Sequence, residues 1–592
     1  MKFEIKEEFY LDDQPLKLIS GAVHYFRIPP TQWEQTLRNL QAMGCNCVET
    51  YVPWNLHEPK KGVFDFEGLA DVTTFLDIAE KLGLKLGLFT IVRPSPYICG
   101  EWDFGGLPAW LLSDSKMRIR SQYSGYLQAI TEYYEQLLPK LVPYQFTHGG
   151  HLLMVQVENE YGSYGEDKDY LKFLVKELRK YLTVPLFTSD GGWREVLEAG
   201  TLPEEDILAT ANFGSDANEN FAWLKRYQEK NNLIEPLMCM EFWDGWFNSW
   251  QKKIIRRDPQ ETAEEVREVI KRGSINFYMF QGGTNYGFYN GSSDAGVRNE
   301  PQITSYDYDA PLTEWGAPTE KYFAIQKVIQ EEVPGAQTSE PLYPQLVSLG
   351  IFPIQESVGL FSVLDEISSP ISNDYTLPME YLGQNFGYTL YRSQLMEKRR
   401  IEKLKVIDGL DRIQFFVNQA RVATQYQDTI GEEITFDLTE EQNELSLLVE
   451  NMGRNNYGPK LVAETQRKGI RSGVMEDIHY ISNWEHYCLE FEPEQIARID
   501  FSKAMTPNTP AFYKATIALE QVGNTFLDCS SFGKGVVFVN GQNMGRYWNE
   551  GPVKTLYIPD YFWRKGANEV IVFETEGIPI DELRFLQSPI ME

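Results

Sequence analysis

Two short segments gather acidic, amide and aromatic side chains where an apolar run stops. The first is Gln156-Val157-Glu158-Asn159-Glu160-Tyr161-Gly162, after the apolar stretch that starts at Leu152. The second is Met240-Glu241-Phe242-Trp243-Asp244-Gly245-Trp246, after Leu237. Three polar side chains in a row at the end of an apolar strand cost stability if buried without partners, so they are expected to face a cleft. In the second segment one carboxylate emerges among apolar neighbours with two tryptophans beside it. Two carboxylates facing each other across a cleft suit glycoside hydrolysis, in which one carboxyl group protonates the leaving oxygen and the other attacks the anomeric carbon. Any one glutamate of this acidic chain, taken alone, reads as a solvated surface group. Two at matching places, each with an aromatic partner, favour the chemical reading.

Other polar clusters agree. Thr50-Tyr51-Val52-Pro53-Trp54-Asn55 and Arg93-Pro94-Ser95-Pro96-Tyr97-Ile98-Cys99-Gly100-Glu101-Trp102 both follow apolar runs, and Tyr306-Asp307-Tyr308-Asp309 comes after the run that carries Tyr278. Arg93 is suited to hold a carboxylate through a bidentate pair. Glu101 and Asn159 are suited to sugar hydroxyls as acceptor and donor. His24 and His57 lie close to these segments, whereas His148, His151, His479 and His486 read as structural.

These residues need a scaffold. Apolar strands are expected at Leu18–Phe26, Cys45–Val52, Leu84–Val92, Leu152–Val157, Pro185–Ser189, Ile207–Asn212, Leu237–Glu241 and Ser274–Phe280, the last carrying Tyr278. Amphipathic helices are expected at Thr31–Met43, Asp71–Leu82, Tyr170–Leu182, Glu261–Lys271 and Glu320–Ile329. Thr31 and Glu34 have the spacing of a capping box, and Gly44 and Gly83 stand as helix stops. Eight strands alternating with helices predict a (β/α)8 TIM barrel, whose active sites lie at the strand C-termini. The polar clusters fall there, and Glu158 is expected to share a strand face with Glu160. Glu235 precedes strand seven, at the wrong end of a barrel.

After about residue 333 the helical period gives way to short alternating strands and turns, the pattern of β-sandwiches. An internal repeat runs through this half. Phe416-Val417-Asn418 with Asn443-Glu444-Leu445 resembles Phe538-Val539-Asn540 with Asn568-Glu569-Val570. The division is a catalytic barrel at 1–330, a linker contributing strands at 331–395, a first sandwich at 396–505 and a second at 506–592. Residues 533–549 read as a jelly-roll sandwich of galactose-binding type, with a structural role preferred. Tyr457 is a candidate to wall the mouth of the active site.

Composition narrows the class. The 592 residues carry 85 acids against 55 Lys and Arg, a net charge of −30. A nucleic-acid binder needs a basic footprint, and an anionic membrane surface repels such a chain. Aromatics make up 14%, a density that suits stacking on sugars. Six cysteines without CxxC or zinc-type spacing read as reduced thiols. No apolar leader or spanning run is seen, so the expected location is cytoplasmic, an unconventional route to the surface aside.

The segments HYFRIP (24–29), TYVPWNLHEP (50–59), RPSPYICGEWDFGGLPAWLL (93–112), QVENEYGSYG (156–165), EFWDGWF (241–247) and SYDYDAPL (305–312) resemble the β-galactosidases of glycoside hydrolase family 35. The likeness spans the whole barrel in order. It implies a retaining exo-β-galactosidase acting on terminal non-reducing galactose of oligosaccharides by double displacement, with no metal and no organic cofactor. It implies Glu160 as acid/base and Glu241 as nucleophile. It further implies Tyr51, Cys99, Gly100, Glu101, Asn159, Tyr278 and Tyr308 as galactose contacts. Gly100 stands where some relatives have Ala, and Trp243 where others have Tyr. Trp243 and Trp246 look like platforms for the second sugar. Bacterial, intracellular-type members with this pair favour β-1,3-linked galactosides, which makes that linkage the expected preference, and relatives suggest a homodimer. The competing readings are a carbohydrate-binding protein without catalysis and a glycosidase of the same clan acting on another sugar.

Overall fold

The computed structural model describes residues 2–86 and 88–591. Eight strands close into a parallel barrel: β1 (Ile19–Val23), β2 (Cys47–Tyr51), β3 (Phe89–Arg93), β4 (Leu152–Gln156), β5 (Leu186–Gly191), β6 (Ile207–Phe213), β7 (Met238–Trp243) and β8 (Ser274–Gln281). Nearly all of their residues are buried. Strands with helices outside and packed side chains inside must be apolar on both faces. The helices are α1 (Trp33–Met43), α2 (Val72–Leu86), α3 (Ser124–Leu141), α4 (Lys168–Arg179), α5 (Arg194–Gly200), α6 (Ala217–Lys230), α7 (Pro259–Arg272) and α8 (Glu320–Glu332). Asp167 and Asp258 cap α4 and α7 by accepting two backbone N–H groups each.

Two helix signals in the sequence act differently from expectation. The capping box at Thr31 and Glu34 does not form. The chain makes a tight turn over Pro30–Gln32, and α1 starts at Trp33. Thr31 Oγ1 donates instead to Asp560 at 2.8 Å, and Glu34 accepts from Arg38. Gly83 does not end its helix, because α2 runs on to Leu86. It is a packing glycine: a Cβ there would lie 2.2 Å from His151 Nδ1. The strand expected from Leu84 therefore begins at Phe89, and position 87 lies outside the described residues.

Beyond α8 the chain is β-rich. A six-stranded and a four-stranded sheet enclose one apolar core, and a five-stranded and a four-stranded sheet enclose another. Strand Tyr388–Met396 of the first pair crosses the 395/396 boundary drawn from the sequence. Gly350–Pro353 and Glu356–Gly359 pair with Glu582–Leu586 and Ala511–Leu519, so the second pair of sheets draws strands from before the first. The sequence repeat has a physical counterpart. Asn418 Nδ2 donates to Asn443 Oδ1 at 3.0 Å, and Asn540 Nδ2 to Asn568 Oδ1 at 2.9 Å. Both leading asparagines adopt left-handed backbone, φ 49° and 51°, at the end of a strand.

Charge ties these parts together. The fully buried Arg454 pairs with Asp103 of the barrel at 3.0 Å and with Glu380 at 2.5 Å. The loop that follows Arg454 is thereby held against the barrel mouth. Among the described residues no helix is long and apolar enough to cross a membrane.

Candidate active site

β4 and β7 deliver the two carboxylates. β4 ends at Gln156, and the chain then turns through Glu158 and Glu160, both with left-handed backbone, φ 54° and 46°. This corrects the expectation that the two glutamates share a strand face. Glu158 turns away and is held by Arg120 at 3.0 and 2.8 Å and by the Tyr170 hydroxyl at 2.9 Å. Its carboxylate also accepts the Asn159 N–H at 2.6 Å, which fixes the turn that presents Asn159 and Glu160.

Glu241 on β7 is 5% exposed and is offered only donors. Arg93 Nη2 donates to its Oε1 at 2.7 Å, and the Tyr51 hydroxyl lies 2.6 Å from the same oxygen. The Trp243 indole N–H donates to Oε2 at 3.1 Å. Arg93 also donates to Asn159 Oδ1 at 2.8 Å, so one guanidinium links the chain after β4 to β7. Glu160 has the opposite setting. Burial, and then the charge of Glu241, push its carboxyl up to about 8, opposed by the Asn212 amide, which donates to Oε1 at 3.2 Å. At neutral pH it holds a proton. A carboxyl that burial pushes up, beside one held by three donors, has the setting that an acid and a nucleophile need in glycoside hydrolysis.

The remaining walls carry polar groups on a closely packed backbone. Cys99, Gly100 and Glu101 form a left-handed turn, φ 57°, 55° and 47°. Arg27 donates to the Gly100 carbonyl at 2.6 Å and lies over the Tyr306 ring at 3.7 Å. Tyr306 donates to Glu101, whose carboxyl burial pushes up to about 7. The Tyr306–Tyr308 segment sits close to the strand ends. A Cβ at Gly282 would lie 1.6 Å from Tyr306 O, and one at Gly245 1.7 Å from Tyr308 O. The Tyr278 and Tyr308 rings meet edge to face at 5.4 Å.

One cavity of about 600 Å³ is lined by Tyr51, Cys99, Gly100, Glu101, Asn159, Glu160, Glu241, Trp243, Trp246, Tyr278 and Tyr308. The structure thus brings the two expected catalytic glutamates and all nine expected sugar contacts to one place. Asn456–Pro459 reach in from the first pair of sheets, with Asn456 donating to Cys99 Sγ at 3.4 Å and Tyr457 in the wall. His24 stays behind the site, bonded to Arg27, and His57 is bonded to Tyr25 farther away. Trp193 and Ser163 also line the cavity, and Asn212 reaches Glu160. Sequence reading missed these three, although Asn212 closes an apolar strand and Trp193 follows one. A larger open cavity, about 1570 Å³, lies at the opposite barrel end and contains Glu235. It faces the strand N-termini, the end that serves stability in this fold. Among the described residues no group of three or more His, Cys, Asp and Glu is arranged to hold a metal ion.

The profile of glycosyl hydrolases family 35 matches residues 8–332, over this barrel and its mouth. The chain belongs to glycosyl hydrolases family 35. It is therefore a glycoside hydrolase. Profiles described as beta-galactosidase first all-beta domain and beta-galactosidase galactose-binding domain match 376–490 and 510–568. Similar proteins with beta-galactosidase names match over nearly the whole chain. "Beta-galactosidase-1-like protein 2" of Homo sapiens is 37% identical over 98% of this chain and 90% of its own length. "Beta-galactosidase 17" of Arabidopsis thaliana is 36% identical over 97% and 87%. "Beta-galactosidase" of Xanthomonas manihotis is 37% identical over 93% and 90%.

Proposed function

We propose that the protein is a retaining exo-β-galactosidase that releases terminal non-reducing β-D-galactose from oligosaccharides. The observation that carries this reading is the unlike setting of two carboxyls in one cavity. Glu241 lies among three donors, whereas Glu160 is pushed up to about 8. Glu241 attacks the anomeric carbon while Glu160 passes its proton to the glycosidic oxygen, and the leaving sugar departs. In the resulting galactosyl ester Glu241 has lost its charge, which removes one cause of the raised Glu160 value. Glu160 then takes a proton from the water that attacks the ester, galactose leaves, and both groups return to their starting states.

Tyr51, Cys99, Gly100, Glu101, Asn159, Tyr278 and Tyr308 hold the galactose in this reading. Trp243 and Trp246 face the leaving sugar, with β-1,3 links preferred. The beta-galactosidase names of the relatives support the choice of galactose. Six free thiols fit a reducing, cytoplasmic setting, and a homodimer is part of the proposal.

The test is galactose release from Galβ1-3, Galβ1-4 and Galβ1-6 disaccharides by wild type, Glu160→Gln and Glu241→Gln. Release from one linkage, abolished by both changes, is expected. Azide rescue on an activated galactoside separates the roles: Glu160→Ala gives the β-galactosyl azide and Glu241→Ala the α-anomer. No release by folded wild-type protein leaves sugar binding without catalysis as the better reading.

A further inference from the structure

The catalytic cavity does not end at its tryptophans. A second cavity of about 470 Å³ adjoins it, and Trp193, Trp243 and Trp246 line both. Asn212, the donor to Glu160, also lines the second cavity. The second cavity therefore lies one side chain away from Glu160, the group that protonates the leaving oxygen in the proposed reaction.

The lining chemistry is specific. Trp193, Trp246 and Ile255 are 46%, 37% and 41% exposed and leave apolar surface open on the second cavity. Ser215 and Asn220 stand beside them. Aromatic and aliphatic faces edged by neutral hydrogen-bonding groups match a pyranose, which has an apolar face and a rim of hydroxyls. The floor is firm. Arg257 donates to the carbonyls of Gly214 and Trp243 and clamps the loops after β6 and β7 together. A Cβ at Gly214 would lie 2.7 Å from Trp243 O, so the two loops are in contact.

We infer that the second cavity binds the neutral sugar one unit beyond the leaving sugar, so that the preferred substrate is a galactoside of three or more sugars. This rests on the β-galactosidase reading above. The leaving unit sits against Trp243 and Trp246, and the next unit lies between Trp193 and Ile255.

The experiment compares kcat/KM for nitrophenyl β-galactoside, a galactosyl disaccharide and the trisaccharide that extends it by one neutral reducing-end sugar. Calorimetric binding of both oligosaccharides to Glu160→Gln runs alongside. Wild type is expected to favour the trisaccharide about tenfold, with a matching gain in binding. Ser215→Trp, which fills the cavity, and Ile255→Ser, which removes its apolar side, abolish that advantage and leave the nitrophenyl rate unchanged. Equal disaccharide and trisaccharide values in wild type overturn the inference while leaving the galactosidase reading intact. An advantage that survives both changes overturns it as well. Loss of the nitrophenyl activity in wild type strikes the galactosidase reading itself, and the calorimetry then decides whether the extra sugar is bound.

Discussion

Replacing Asn212 by Ala moves the alkaline limit of activity upward. The Asn212 amide donates to Glu160 Oε1 at 3.2 Å and opposes the burial and the Glu241 charge that hold this carboxyl near 8. A hydrogen bond to a charged group is worth about 1.5–3 kcal/mol. At this length, longer than the usual charge-assisted bond, the lower figure applies. At 1.36 kcal/mol per unit, its loss raises the Glu160 value by about one unit. In the proposed reaction Glu160 must hold its proton when substrate arrives, so kcat/KM falls as pH rises through that value. The half-point is expected near pH 8 in wild type and about one unit higher in Asn212→Ala. The assay is kcat/KM against pH on a galactosyl disaccharide, whose poor leaving group makes proton transfer necessary. Glu160→Gln, assayed on nitrophenyl β-galactoside, whose leaving group departs without that proton, serves as the control without this limb. A limb that stays in place or moves down, in a variant that still binds substrate, refutes the argument that Asn212 acts on the ionised form of Glu160.

Further outcomes follow from the same contacts. Trp243→Phe keeps a ring beside the leaving sugar but removes the N–H at Glu241 Oε2; kcat/KM drops about tenfold with KM little changed, read by steady-state kinetics. Arg454→Met leaves Asp103 and Glu380 buried without their cation; urea unfolding shows a loss of about 3–5 kcal/mol, and KM rises because the 455–459 loop loosens. Glu314, held at about 7 by burial against its ordinary 4.5, keeps a proton in the folded state that the unfolded chain releases. Its contribution to stability is therefore present below pH 4.5 and lost as pH rises through about 7. Glu314→Gln flattens the fall of the urea midpoint across that window.

The catalytic half was legible because its signals are local. Each barrel strand is a short apolar run, and Glu160, Glu241 and Tyr278 lie on or just beyond such a run. The resemblance of six ordered segments then gave roles to residues that spacing alone left open. The orientation of Glu158 was not legible, since it depends on the left-handed turn after Gln156 and on Arg120, far away in sequence. Thr31 misled for a related reason: its partner, Asp560, is in the last β region. Gly83 looked like a stop because nothing nearby in the chain announces His151. The asparagine repeat was visible as letters, but its cause, a side-chain pair that clips a left-handed strand end to the returning strand, is geometric.

The bond between Asp103 and Arg454 sets an order of events during synthesis. The chain leaves the ribosome N-terminus first, and domains fold as they emerge. When α8 is complete the barrel has all eight strands, yet Asp103 still lacks its cation and the cavity its wall at Asn456 and Tyr457. A nascent chain halted there has both carboxylates and an open-sided pocket. The wall at Asn456 and Tyr457 is therefore the last part of the cavity to be made, and a chain that stops before residue 454 lacks it.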